Sequence, residues 1–116
     1  MSETELERWL AMLAGCWSAF ERACQAADGK QLASGPRGGG RSLAAVREHV
    51  ESAHAAYTRQ VGSAGDFDDA VRARWRGELP DRGPRGGERW APRYAIRRAA
   101  WHILDHAWEV EDRTSG

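Results

Sequence analysis

The sequence has no run of apolar residues long enough to cross a bilayer and nothing with the form of a signal or transit peptide. A cytoplasmic protein with no membrane partner is expected. It has no net charge, 17 basic residues balancing 17 acidic ones, so no overall field draws in nucleic acid or an anionic surface. Cysteine is scarce. Cys16 and Cys24 stand about two helical turns apart, too far for a bridge within one continuous helix. They read as small buried thiols in a reducing compartment. Finally, no stretch has the alternation and length of a credible strand.

What remains is helix. At 116 residues the chain suits one domain, residues 1–116, with one core. Ser2 followed by Glu5 has the form of a capping box, and Leu6, Leu10, Leu13, Trp17, Phe20 and Cys24 then recur at steps of four and three. This predicts a helix over 3–27, broken at Asp28 and Gly29. Ser42 is placed to cap a second helix, with Leu43, Val46, Val50, Ala53, Tyr57 and Val61 as its apolar stripe and Gly62 as its stop. Asp66 precedes a shorter third helix at about 67–76, carrying Phe67, Val71 and Trp75. Pro92 suits the first turn of a fourth, whose signal runs from Arg93 to Asp112. The expected fold is all-α, a four-helix bundle with a shortened third member.

Two glycine-rich segments echo each other, Gly35 to Arg41 and Gly83 to Arg89, each ahead of a histidine-bearing helix. Neither ends in the Lys-Ser/Thr of a phosphate-binding loop and no strand precedes either, so both read as turns between helices. Charge is unevenly spread. Residues 70–98 hold nine Arg against three acids, while 1–28 and 99–116 are each acidic by three. Mutual neutralisation across the fold is the expected outcome, and an anion-binding surface is the alternative.

The fourth helix carries His102 and His106. Four apart, they lie one turn above the other and can address one atom, the spacing two imidazoles need to chelate a metal from one helix face. A third ligand has to come from elsewhere. The second helix offers His49 and His54, which project about 140° apart and cannot both serve one site. Both border the apolar stripe, so periodicity does not choose between them. Glu51 and His54 form a Glu-x-x-His of the di-iron kind, but Ala99 and Ile103 stand where the second copy would need acids.

From Pro92 to Arg113, PRYAIRRAAWHILDHAWEVEDR resembles the final helix of the DinB-like (YfiT-like) family. From Gly39 to Tyr57, GGRSLAAVREHVESAHAAY looks like its second helix, and the first helix agrees more loosely. The resemblance implies a four-helix bundle holding a divalent metal, zinc or nickel, with one histidine from the second helix and two from the last. Carried over, these are His49, His102 and His106, and His54 stays outside the ligand set. Some relatives are thiol-dependent isomerases or S-transferases using mycothiol, bacillithiol or glutathione. The chain is shorter than the usual member, chiefly around the third helix, which would leave an apolar face for a homodimer to cover.

The function expected on this basis is metal-dependent thiol transfer, isomerisation or hydrolysis of a small-molecule substrate, with no single side chain assigned as catalyst. Three imidazoles would leave an open position on the ion for water or thiolate. Arg93 and Arg97, with Arg98 nearby, are candidates for the carboxylates of a low-molecular-weight thiol. Glu48, Asp105 and Glu109 are candidates to orient a ligand ring. The alternative is a non-catalytic, dimeric helical module that binds an anionic partner through the Arg-rich 72–98 segment with Trp75, Trp90 and Tyr94.

Overall fold

The computed structural model describes residues 1–34, 40–62, 64–83 and 85–115, with the side chain of Ser115 left aside. Most of the first glycine-rich segment, 35–39, and Pro84 of the second lie outside the described residues, so their expected turn chemistry is not taken further. Four helices account for the fold: α1 (Glu3–Ala27), α2 (Leu43–Val61), α3 (Phe67–Trp75) and α4 (Pro92–Ser115). Among the described residues there is no strand, only an isolated antiparallel bridge between Arg82 and Glu88.

Each of the first three helices begins where a short polar side chain can satisfy a bare N–H. Ser2 accepts from the Glu5 amide, Ser42 from Ala45 and Asp66 from Asp69. Helix α1 stops at Ala27 because Gly29 takes φ 74°, a left-handed turn open to glycine at little cost. The buried positions repeat the spacing that drives helix packing. Leu6, Leu10, Leu13 and Phe20 of α1 meet Ile96, Ile103 and Val110 of α4, with Val46, Val50 and Val61 of α2 and Phe67 and Val71 of α3 closing the core.

Side-chain pairs fix the helix directions. Arg47, early in α2, donates to both carboxylate oxygens of Glu21, late in α1, at 3.1–3.3 Å, and His54, later in α2, meets Trp17, earlier in α1, so these two run antiparallel. The start of α4 lies by the start of α1, where Arg93 stands 3.8 Å from Glu5 and over the Trp9 ring, and these two run parallel. Helix α3 is fastened to the beginning of the chain by Arg72 on Glu7 and by Trp75 Nε1, which donates to the Met1 carbonyl at 2.9 Å. The consequence for function is that the start of α2 lies beside the second half of α4.

Candidate metal centre

That juxtaposition brings three imidazoles together. His49 projects from the first turns of α2, and His102 and His106 from one flank of α4. Their ring centroids are 5.0, 4.8 and 4.6 Å apart. One nitrogen from each lies within 4.8 Å of the other two, and all three rings are half-buried. The Nε2 atoms of His49 and His102 are 3.2 Å apart. Two nitrogens bound tetrahedrally to zinc stand about 3.3 Å apart, given the usual bond length. The residues therefore fit a divalent ion, and drawing in the third nitrogen requires a shift of at most about 1.5 Å.

Two of the rings, His49 and His102, are electrostatically prepared as neutral donors. Burial lowers the pKa of His49, helped by the nearby Arg41 guanidinium and by His106, while Glu109 opposes the shift. Burial, followed by repulsion from His106 and His49, pushes His102 down to about 4. At neutral pH both rings thus keep a lone pair.

His106 is oriented differently. Its Nδ1 lies 2.7 Å from Glu109 Oε1, and a carboxylate can only accept, so Nδ1 carries a proton and Nε2 is the nitrogen that a neutral ring would leave for a ligand. Burial on its own would raise the Glu109 pKa, but hydrogen bonds from His106 and Arg113 outweigh it and hold the group ionised below the usual range. The expected carboxylate role thus falls to Glu109, and its partner is the histidine three residues before it. Glu48 is exposed. The charge of Asp105 favours the protonated form of His102.

One residue beside the histidines was not singled out from sequence. Arg113 is 3% exposed, and every nitrogen of its guanidinium is used. Nη1 donates to Glu109 Oε2 at 2.8 Å, Nε to the Ala33 carbonyl at 2.6 Å and Nη2 to the Arg41 carbonyl at 2.6 Å. The Ala33 amide donates back to the Arg113 carbonyl at 3.1 Å. The α1–α2 connection is thereby clamped to α4 beside the histidines. The only signal for this was the i,i+4 spacing of Glu109 and Arg113.

His54 is kept apart from the trio. Its ring packs edge-on to Trp17 at 4.9 Å and against Phe67 at 4.6 Å, and its Nδ1 is buried with no hydrogen-bond partner. Glu51, the other half of the Glu-x-x-His, is exposed. The packing of α2 against α1 and α3 therefore separates two histidines that periodicity leaves equivalent.

Of the arginines proposed for an anionic thiol, Arg93 is engaged with Glu5 and Trp9, and Arg97 is exposed, half a turn or so away from the His102 flank. Arg98 is the one that borders the site. It lies over the Tyr57 ring at 5.8 Å, and that ring meets His102 edge-on at 5.7 Å. Trp90 also packs on Tyr57, and Tyr94 on Trp90. Within the Arg-rich segment, Arg72 is paired with Glu7 and Arg74 with Asp81, and Trp75 and Trp90 pack against the core.

No family model, no curated protein and no solved structure matches the chain.

Proposed function

We propose that the chain is a DinB-like four-helix bundle that binds one divalent ion, zinc or nickel, through His49, His102 and His106, for thiol transfer, isomerisation or hydrolysis of a small molecule. The observation that carries this reading is the convergence of three half-buried imidazoles from α2 and α4. A set of three neutral nitrogens suits these borderline ions, and three protein ligands leave a position open. When bound, the ion supplies Lewis acidity and lowers the pKa of the water or thiol that shares it.

The chain's own groups do the rest. Glu109 holds a proton on His106 Nδ1 and so leaves Nε2 as the nitrogen for the ion. Burial keeps His49 and His102 unprotonated at neutral pH. Tyr57 walls the His102 side, and Arg98 above it offers a cation to the carboxylate of a low-molecular-weight thiol. The unpaired Cys16 and Cys24 accord with a reducing compartment such as the cytoplasm. The interaction-module reading has less behind it, because Arg72, Arg74 and Arg93 already have acidic partners.

Elemental analysis of protein purified without chelators tests the reading. About one equivalent of zinc or nickel is expected of a three-histidine site, with loss of that metal in His49→Ala and in His102→Ala. Protein that emerges without metal and takes up neither ion on titration overturns it.

A further inference from the structure

Of the arginines between residues 70 and 98, only Arg72, Arg74 and Arg89 are half-buried, and the others are exposed. Glu7 holds Arg72 and Asp81 holds Arg74. Arg89 has no acidic partner among the described residues, and its Nε is buried with no hydrogen-bond partner. A Cβ built on Gly62 would stand 2.9 Å from Arg89 Nη1, so the guanidinium lies at the C-terminal end of α2. The helix dipole there supplies part of a counter-charge but no acceptor for Nε. A charged donor taken partly out of water without an acceptor is costly, and a ligand that brings one offsets the cost.

Arg89 lines a cleft of about 630 Å³ between the end of α3, the segment 81–91 and the start of α4. Small-molecule sites fall at about 300–1,000 Å³. Arg74 and Arg82 also line it, and Trp90 and Tyr94, edge-on at 5.0 Å, give it an aromatic wall. The Nε of Arg74, like that of Arg89, is buried without a partner. The segment is held in shape by its own backbone. The Gly83 amide donates to the Gly87 carbonyl at 2.7 Å, Arg89 to Asp81 at 2.9 Å and Trp90 to Gln60 at 2.9 Å. Arg82 Nη1 donates to the Gly86 carbonyl at 2.9 Å. Two acids share the cleft. Asp81 accepts from Arg74 Nη1 at 3.1 Å, and Glu88 is exposed, bridged to Arg82 through the backbone. Three guanidinium groups against two carboxylates leave an excess of one positive charge.

We propose that this cleft binds a small oxyanion, a carboxylate or a phosphate, carried on a planar apolar body. Arg89 and Arg74 donate to the anion, and Trp90 and Tyr94 pack against the body. The guanidinium fork matches two oxygens of either group, and an aromatic wall suits a flat apolar body. Among the described residues no histidine lines the cleft, so its occupancy does not depend on a bound metal.

Calorimetric titration at low ionic strength with phenyl phosphate, benzoate and neutral benzyl alcohol is the test. Saturable one-to-one binding is expected of at least one anion and not of the alcohol, and the tighter anion identifies the oxyanion. Arg89→Met is expected to weaken binding by about ten-fold or more, the scale of hydrogen bonds lost from a charged group. Arg82→Gln should weaken it by less and Glu88→Gln should tighten it, both residues being exposed and their changes harmless to folding. Arg22→Gln, an exposed charge on α1 outside the cleft, should leave it unchanged, and so should His102→Ala. If Arg89→Met fails to keep its helical circular dichroism, the opposite shifts of Arg82→Gln and Glu88→Gln decide the matter. The proposal is overturned by no saturable binding of either anion, by equal binding of the alcohol, by loss of binding in His102→Ala, or by a folded Arg89→Met that binds as the wild type does.

Discussion

Glu109 decides which nitrogen of His106 is left bare, because it accepts the Nδ1 proton with one oxygen while Arg113 occupies the other. In Glu109→Gln an amide can satisfy the hydrogen bond but neither fixes the tautomer nor adds charge. Metal affinity is expected to fall about 10- to 100-fold, the usual effect of losing an outer partner of a ligating histidine. Competition with a chromophoric chelator measures this, and an unchanged affinity would remove the carboxylate from the centre. His54 carries a different residue-scale prediction. Burial among Trp17 and Phe67 lowers its pKa, with Asp66 opposing weakly. Below the ordinary histidine range the unfolded chain therefore takes up a proton that the folded chain refuses, and stability falls as pH drops through about 6.5 toward the folded value. His54→Phe should flatten that slope, making the variant more resistant to urea than the wild type at pH 5 relative to pH 7. The pair at 102 and 106 was legible from its spacing, and His49 only from a resemblance. What separates His49 from His54 is which neighbour covers each ring, and no local pattern in α2 records that.

At the scale of elements, boundaries were legible because capping chemistry is local. Ser42 accepts from the Ala45 amide two turns ahead of His49, and Ser42→Ala is expected to cost about 1 kcal/mol, the usual effect of losing such a cap. For a chain of this size that is a fall in Tm of about 4 °C, readable by thermal circular dichroism. Helix α4 runs on to Ser115, past the end of its apolar signal at Asp112, because Arg113 and Thr114 are held after the stripe fades. An arginine in a last helical turn ordinarily reads as solvated. Only the carbonyls of Ala33 and Arg41, 80 and 72 residues away, explain its burial. Arg113→Met keeps much of the side-chain volume but removes the donor to those carbonyls and to Glu109 Oε2. It is expected to destabilise by about 2 kcal/mol, the scale of hydrogen bonds lost from a charged group. Equilibrium urea unfolding checks it, and a loss under about 0.5 kcal/mol, the range of ordinary surface changes, would show that the clamp is not holding the connection.

For the whole molecule, helix directions had no signature in the sequence, since pairs such as Arg72 with Glu7 span 65 residues and match many other arginine–glutamate combinations. Those directions are nevertheless what bring His49 of α2 beside His102 and His106 of α4. An ion held by all three ties together segments more than 50 residues apart, so binding is lost when the bundle opens. Free metal at 100 times its dissociation constant is then expected to add about 2.7 kcal/mol to unfolding and about 10 °C to Tm. EDTA should reverse the gain. His49→Ala distinguishes this from chelation by α4 alone. The variant keeps His102 and His106 at helical spacing and should still bind an ion weakly. Its ligands, however, no longer bridge two elements, and metal at the same concentration should leave its global unfolding nearly where it was. If the variant gains as much stability as the wild type, the ion sits on one helix and the convergence of three rings has no thermodynamic consequence.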